Sequence, residues 1–246
     1  MTEQLRYSRH FLLAQWNEDR QQQLAEQKVL LVGLGGVGSA AAPYLVSSGL
    51  GHLTLADFDQ ISLSNLPRQL LYQDADVGQQ KVQVAQQKLQ LLNPACSLQS
   101  WSEQVTADSL NKRLAEFDLV LDCTDNLDSR QQLQRACYHQ QKPLLSAAAV
   151  RLEGQISYFP ASAAGPCYCC YSSALSQQEF NCLDQGVLSP LVGVIGSLAA
   201  LEAIKILSGL GSELAGKLWC FDALFSQWQQ LQIAKNPHCP VCSVAV

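Results

Sequence analysis

The chain has 246 residues, 16 Lys plus Arg against 21 Asp plus Glu, a formal net charge of -5, and ten cysteines. That cysteine content is well short of the roughly 8–10% that marks a small disulfide scaffold, and a chain this long buries a full core without covalent staples. A mildly acidic balance with no basic run argues against nucleic acid as the main partner, because that binding rests on neutralising phosphates.

Residues 1–10 carry Glu3, Arg6, Arg9 and His10 and contain no apolar signal-peptide core, so a cytosolic protein with reduced thiols is expected. Strand-length apolar runs then alternate with helix-length amphipathic segments. Residues 28–33 (KVLLVG) read as a buried strand, 37–48 as a helix and 52–57 (HLTLAD) as a second strand. Residues 82–92 repeat apolar side chains at helical spacing and stop at Asn93-Pro94. A strand at 117–122 (FDLVLD), a helix at 129–138 and a strand at 143–148 follow. This alternation predicts an α/β fold with a largely parallel sheet covered by helices. From about Leu152 the pattern changes to shorter extended pieces at 155–159, 217–221 and 227–233, around one long helix at 191–207. Its apolar stretch, 191–201, is too short to span a bilayer, so a buried helix and no membrane partner are expected. Only 15% of residues are charged, and Gln21 to Gln23, Gln79, Gln80, Gln86 and Gln87 read as solvated helix faces. There is no Pro/Ser-rich linker and no internal repeat, so residues 1–246 are expected to form one body.

Gly33-Leu34-Gly35-Gly36-Val37-Gly38 fits G-x-G-x-x-G directly after a strand and at the opening of a helix. Glycines there let backbone approach a phosphate, whose charge meets free N–H groups and the positive helix end. Asp57, ending the next strand, stands where a carboxylate accepts hydrogen bonds from ribose hydroxyls. This turn by itself points to a nicotinamide or flavin enzyme, or to glycines needed only for tight packing. A Walker lysine motif is absent. The residues that follow fit hydride transfer poorly. Asp59, then Ser64-Asn65-Leu66-Pro67-Arg68-Gln69, then Lys81 ahead of a helix, place a guanidinium and an ammonium near the turn. Asp122-Cys123-Thr124-Asp125-Asn126 adds two carboxylates and an amide at the carboxyl end of a strand, where open α/β sheets bind ligands. Cations suit phosphoryl oxygens, and a carboxylate beside an amide suits Mg²⁺, so the set reads as nucleoside triphosphate chemistry. The alternatives are structural: Arg68 paired with a surface carboxylate, and Asp122 as a helix cap.

Cys167-Tyr168-Cys169-Cys170 and Cys239-Pro240-Val241-Cys242 contain two C-x-x-C pairs. Four thiolates from Cys167, Cys170, Cys239 and Cys242 satisfy a closed, structural Zn²⁺ site that ties the tail back onto the body. Redox chemistry is the competitor, but neither pair is expected to open a helix after a strand in the thioredoxin manner. Cys182, in a loop before the long helix, is an undecided candidate nucleophile. Cys96, Cys123, Cys137 and Cys220 read as small buried hydrophobes, and Cys169 has no assigned part.

Arg6-Tyr7-Ser8-Arg9, GLGGVG, residues 64–68, Lys81, DCTDN and the paired C-x-x-C together resemble the MoeB/ThiF/HesA adenylyltransferases, relatives of the ubiquitin-activating enzymes. The likeness runs from about Leu5 to Cys242. AVRLEGQI (149–156), residues 189–206 and Asn236 to Cys239 look more like the molybdopterin-synthase branch; Arg6 to Arg9 and Ser226-Gln227-Trp228 look equally like the thiamin branch. The resemblance implies a Rossmann-like nucleotide-binding half, about residues 1–150, and a carrier-binding, zinc-containing half, about 151–246. It implies a homodimer that uses ATP and Mg²⁺ to join AMP to the C-terminal Gly-Gly carboxylate of a small ubiquitin-like sulfur carrier, with a sulfurtransferase or cysteine desulfurase as a further partner. By motif match, the nucleotide would be held by Gly33, Gly35, Gly36 and Gly38, by Asp57 on the ribose, and by Ser64, Asn65, Leu66, Pro67, Arg68 and Lys81 along the phosphates. Asp125 with Asn126 would hold Mg²⁺, and Arg9 would reach the neighbouring subunit's triphosphate. Cys182 matches a thiol that in the thiamin branch links covalently to the carrier. Two departures stand out: Pro67 replaces the usual Gln and removes an N–H from the phosphate-facing segment, and Cys169 replaces a residue that is commonly Arg.

Overall fold

The computed structural model describes residues 5–160, 162, 165–172 and 186–243. In chain order the elements are α1 (Glu18–Glu26), β1 (Lys28–Val32), α2 (Gly36–Ser47), β2 (His52–Ala56), α3 (Lys81–Leu92), β3 (Ser97–Trp101), α4 (Ala107–Arg113), β4 (Leu119–Asp122), α5 (Leu127–His139), β5 (Leu144–Val150), β6 (Glu153–Phe159), α6 (Tyr168–Ser172), α7 (Ser189–Leu207), β7 (Lys217–Asp222) and β8 (Gln227–Gln232). Eight strands form one continuous sheet in the order β3-β2-β1-β4-β5-β6-β7-β8. Strands β1 to β5 pair in parallel; β6, β7 and β8 extend the sheet antiparallel.

The central strands are apolar on both faces because both are covered. In β1, Val29 and Leu31 join one core with α2, α3 and α7, while Leu30 and Val32 join another that holds α4, α5, α6 and the C-terminal cysteines. Such burial on two sides is why KVLLV reads as a continuous run instead of alternating. Helix α7 crosses α2 at small residues: a Cβ on Gly196 would lie 2.5 Å from the Val37 carbonyl oxygen, and one on Gly36 2.9 Å from Val192. That close approach drives the long apolar helix against the sheet.

Several boundaries and placements differ from the sequence reading. Strand β3 was not predicted: SLQSW offers only Leu98 and Trp101 to the interior, too few for a periodic signal. Helix α7 runs 19 residues and is long and apolar enough to cross a membrane by length and composition alone, so the expectation of a shorter apolar span is corrected; half of its apolar stretch is buried inside the fold. Gln21 is buried, not solvated: its Oε1 accepts from the Trp16 indole at 3.1 Å and its Nε2 donates to the Ser48 carbonyl at 3.0 Å. Cys96, Cys123 and Cys137 are buried as expected, but Cys220 is half-buried, because β7 lies toward the open end of the sheet.

Between β1 and β4 the strand order reverses, so the chain leaves β1 toward α2 on one face and leaves β4 toward α5 on the other. The divergence opens a crevice beyond the carboxyl ends of the strands, the usual ligand position in open α/β sheets.

Candidate active site and metal centre

A cavity of about 410 Å³ occupies this crevice, walled by the glycine turn, the end of β2, the 65–69 segment, the start of α3, the β4–α5 loop and the approach to α7. Gly33 sits at φ 91°, and a Cβ there would lie 2.7 Å from the Cys123 carbonyl oxygen; one on Gly38 would lie 1.9 Å from the Gly33 carbonyl oxygen. These two glycines are demanded by packing. Gly35, at the N-cap of α2, is different: the nearest atom a Cβ would meet is the Gln69 amide nitrogen at 3.9 Å. Its missing side chain serves the cavity, leaving helix N–H groups open to an anion. Gly38→Ala is therefore expected to lose the folded state, because backbone cannot move aside cheaply. Gly35→Ala is expected to melt within about 2–4 °C of the parent, equivalent to roughly 1 kcal/mol in a chain of this size, yet to bind nucleotide at least about tenfold more weakly. Thermal melts and calorimetric titration read the two effects separately.

Asp57 caps the end of β2. Its Oδ2 accepts from the Leu34 N–H at 2.6 Å and its Oδ1 from the Asp59 N–H at 2.8 Å, so the carboxylate is fixed against the glycine turn. Burial pushes its pKa up, and the nearby Lys81 ammonium opposes that rise. Lys81, at the first position of α3, is 4% exposed; its Nζ lies 2.7 Å from Asp59 and 3.9 Å from Asp57. Arg68 lies on the same wall, its guanidinium donating to the Ser64 carbonyl at 2.8 Å, and it pairs with no carboxylate among the described residues. Asn65 holds the turn with its Oδ1 on the Ser62 N–H at 3.1 Å. Across the cavity, Asp125 is exposed on the β4–α5 loop. Asn126 caps α5, accepting from the Ser129 N–H at 2.9 Å, which assigns the cap to Asn126 and not to Asp122.

On the second face of the sheet, the sulfurs of Cys167, Cys170, Cys239 and Cys242 all lie within 4.8 Å of one another, and all four residues are buried. Neighbouring sulfurs are 3.9, 3.6 and 3.3 Å apart. Four thiolates about 2.3 Å from a central ion, at tetrahedral angles, stand near 3.8 Å apart, so the donor set and its spacing fit Zn²⁺. The Asn236 N–H points at the Cys170 sulfur at 3.4 Å, compensating thiolate charge. The five-residue α6 begins directly after Cys167, but eight residues separate it from the end of β6 and the sulfurs of the first pair face the second pair.

A model of the ThiF family matches residues 7–241. This chain belongs to the ThiF family. It is 46% identical over 240 residues to a molybdopterin-synthase adenylyltransferase of Escherichia coli (strain K12), covering 98% of this chain and 96% of that one. It is 44% identical over 238 residues to the sulfur carrier protein ThiS adenylyltransferase of the same organism, covering 97% and 94%. Among solved structures, a crystal structure of E. coli MccB with MccA-N7isoASN superposes with a TM-score of 0.87 at 24% identity, over 98% of this chain and 75% of that one, and shows the shared fold.

Of the residues that the ThiF-family resemblance nominated, the fold brings Gly33, Gly35, Gly36, Asp57, Asn65, Arg68, Lys81, Asp125 and Asn126 to the cavity. Gly38 lies behind the turn, Leu66 packs on the core, and Ser64 and Pro67 are exposed outside the cavity lining. Arg9 is exposed and does not line its own chain's cavity. Cys182 lies outside the described residues. Two buried polar residues of the cavity lining were not nominated as site residues. Gln69 is 2% exposed with its Oε1 unpartnered, and Arg130 is 2% exposed beside the β4–α5 loop. A buried position for an arginine is not visible in a helical pattern; it depends on what packs over it.

Proposed function

We propose that this chain is an ATP-dependent adenylyltransferase acting on the C-terminal Gly-Gly carboxylate of a small ubiquitin-like sulfur carrier of the molybdopterin-synthase small-subunit type, activating it for sulfur transfer in molybdenum cofactor biosynthesis. The observation that carries this reading is the convergence of Asp57, Arg68, Lys81 and Asp125 on one crevice at the strand switch point. Full-length relatives named adenylyltransferases support it.

In this reading the Gly35 and Gly36 N–H groups and the helix dipole meet phosphate, Asp57 takes the ribose hydroxyls, and Asn65, Arg68 and Lys81 take phosphate oxygens. A carrier carboxylate oxygen attacks the α-phosphorus, and the bond from that phosphorus to pyrophosphate breaks. The nucleophile is already ionised and the leaving group needs no proton, so alignment and cations suffice. The oxygen donors of Asp125 and Asn126 suit Mg²⁺, which when bound neutralises triphosphate charge. The tetrathiolate site holds a structural zinc, in keeping with a cytosolic chain whose described cysteines are free. Arg9, exposed and outside its own cavity, would reach the triphosphate across a homodimer, and a sulfurtransferase or cysteine desulfurase would consume the adenylate.

Near-equal identity to the two E. coli enzymes favours a second reading, the same reaction on the thiamin carrier, with Cys182 forming a covalent link. ATP–pyrophosphate exchange with each carrier separates them: exchange with one carrier only names the substrate. No exchange with either, despite carrier binding, would leave a non-catalytic scaffold, and no exchange or carrier binding would return the question to a nicotinamide oxidoreductase.

Asp57 adds a pH signature. Because burial raises its pKa above the ordinary 3.8, the carboxylate is protonated at a higher pH than a free one and then loses an acceptor for ribose. Nucleotide affinity is expected to fall on acidification with a midpoint above the ordinary carboxylate range. A midpoint at or below that range, in titrations with AMP, would remove Asp57 from the ribose site. The linked stability term has the opposite sense: it is present at low pH and lost as pH rises through the raised value.

A further inference from the structure

Asp125 is exposed, and the Asn126 amide donates to its Oδ1 only over a long 3.5 Å. Yet the loop that carries it is pinned from below. Strand β4 ends on Asp122, 1% exposed, whose Oδ1 accepts from the Thr124 N–H at 3.0 Å and the Thr124 hydroxyl at 2.7 Å. The Ser146 hydroxyl of β5 donates to its Oδ2 at 3.3 Å. From the first turn of α5, Arg130 donates its Nε to the Thr124 carbonyl at 3.1 Å and its second terminal nitrogen to the same oxygen. Arg130 is 2% exposed, and its charge opposes the rise that burial imposes on the Asp122 carboxyl. A guanidinium stays buried only where hydrogen bonds and opposite charge compensate its lost hydration. Here the hydrogen bonds run to the carbonyl of Thr124, the residue before Asp125, and the opposite charge is Asp122, which itself holds the Thr124 N–H and hydroxyl.

We propose that Arg130 is a positioning residue of the adenylylation site: with Asp122 it clamps Thr124 from both sides, so that Asp125 is presented to the cavity before any nucleotide arrives. The inference rests on the adenylyltransferase reading only for its consequence in catalysis; the clamp itself is a property of the ligand-free chain. Preorganisation of this kind spares the nucleotide the entropy of ordering the loop, and so acts on affinity more than on the chemical step.

Two measurements test it. Arg130→Lys keeps a cation facing Asp122 but loses the forked contact on the Thr124 carbonyl. In the ligand-free variant, hydrogen exchange at the Thr124 and Ser129 amides is expected to rise at least about tenfold, with the β1 amides unchanged. In exchange assays, the KM for ATP is expected to rise about tenfold with kcat within about threefold and the KM for carrier unchanged. If Arg130→Lys fails to fold, the pair Asp122→Asn with Arg130→Gln, which leaves no buried charge alone, is read in the same way. Unchanged amide exchange at Thr124 and Ser129 would overturn the clamp. A rise confined to the KM for carrier would overturn it too, and would place Arg130 on the carrier tail. A parent enzyme without pyrophosphate exchange would strike the functional reading while leaving the amide measurement decisive for the clamp.

Discussion

Arg68→Ala is expected to lower carrier-dependent ATP–pyrophosphate exchange by about 10²–10³-fold, the usual cost of removing one preorganised donor from a site of developing charge. Its melting temperature should stay within about 2–4 °C of the parent. Both halves of the prediction follow from the geometry. Arg68 is half-buried at the cavity wall, its guanidinium donates to the Ser64 carbonyl four residues back, and no carboxylate among the described residues neutralises it. Removing it therefore strips a cation from the crevice without stranding a buried partner. Lys81 behaves differently: it is buried against Asp57 and Asp59, so its removal leaves the buried Asp57 carboxylate without its counter-charge and mixes a stability loss into the activity loss. Arg68→Lys should recover part of the exchange, because a point charge replaces the planar fork. Near-normal exchange in Arg68→Ala would remove the residue from the phosphate path.

The second large effect concerns the metal. The purified chain should carry about one zinc, measured by elemental analysis, and Cys239→Ser with Cys242→Ser should lose it. The four cysteines and Val241 form part of the core beneath α5, and the Tyr138 hydroxyl reaches the Cys242 carbonyl at 3.4 Å, so losing the ion frees the tail from that core. A loss of roughly 3 kcal/mol would lower the melting temperature by about 6–12 °C in a chain of this size. Limited proteolysis should then cut after β8, while the parallel part of the sheet stays protected. Two disulfides and no metal in protein prepared under reducing conditions would sink the zinc site and revive the redox alternative.

The chemistry-bearing residues were legible early because each stands in a short motif with unusual residue types. The glycine turn and DCTDN sit at the carboxyl ends of strands that the apolar pattern locates, and the SNLPRQ segment and Lys81 lie on the connection that leaves the carboxyl end of β2, so position along the chain aims them at one edge. The thiol pairs were legible for a similar reason: x₂ spacing sets two sulfurs on one side of a turn, whatever the rest of the fold does. Legibility ended where a role depends on a distant partner. Gln21 looked like part of a solvated run until Trp16 and Ser48 closed over it, and Arg130 looked like one more polar residue of an amphipathic helix until β4 supplied Asp122 and Thr124.

By itself, then, the order of residues determined the alternation of strands and helices, the two thiol pairs and the set of charged groups available to a phosphate, since these depend on local periodicity and side-chain chemistry. Tertiary structure alone decided which of those groups meet. The reversal of strand order between β1 and β4 opens the crevice, the crossing of α7 over α2 sets its wall, and the packing of α6 beneath the C-terminal tail brings four sulfurs within one coordination sphere. Those outcomes depend on contacts between segments tens of residues apart, and no short window of sequence contains both sides of such a contact.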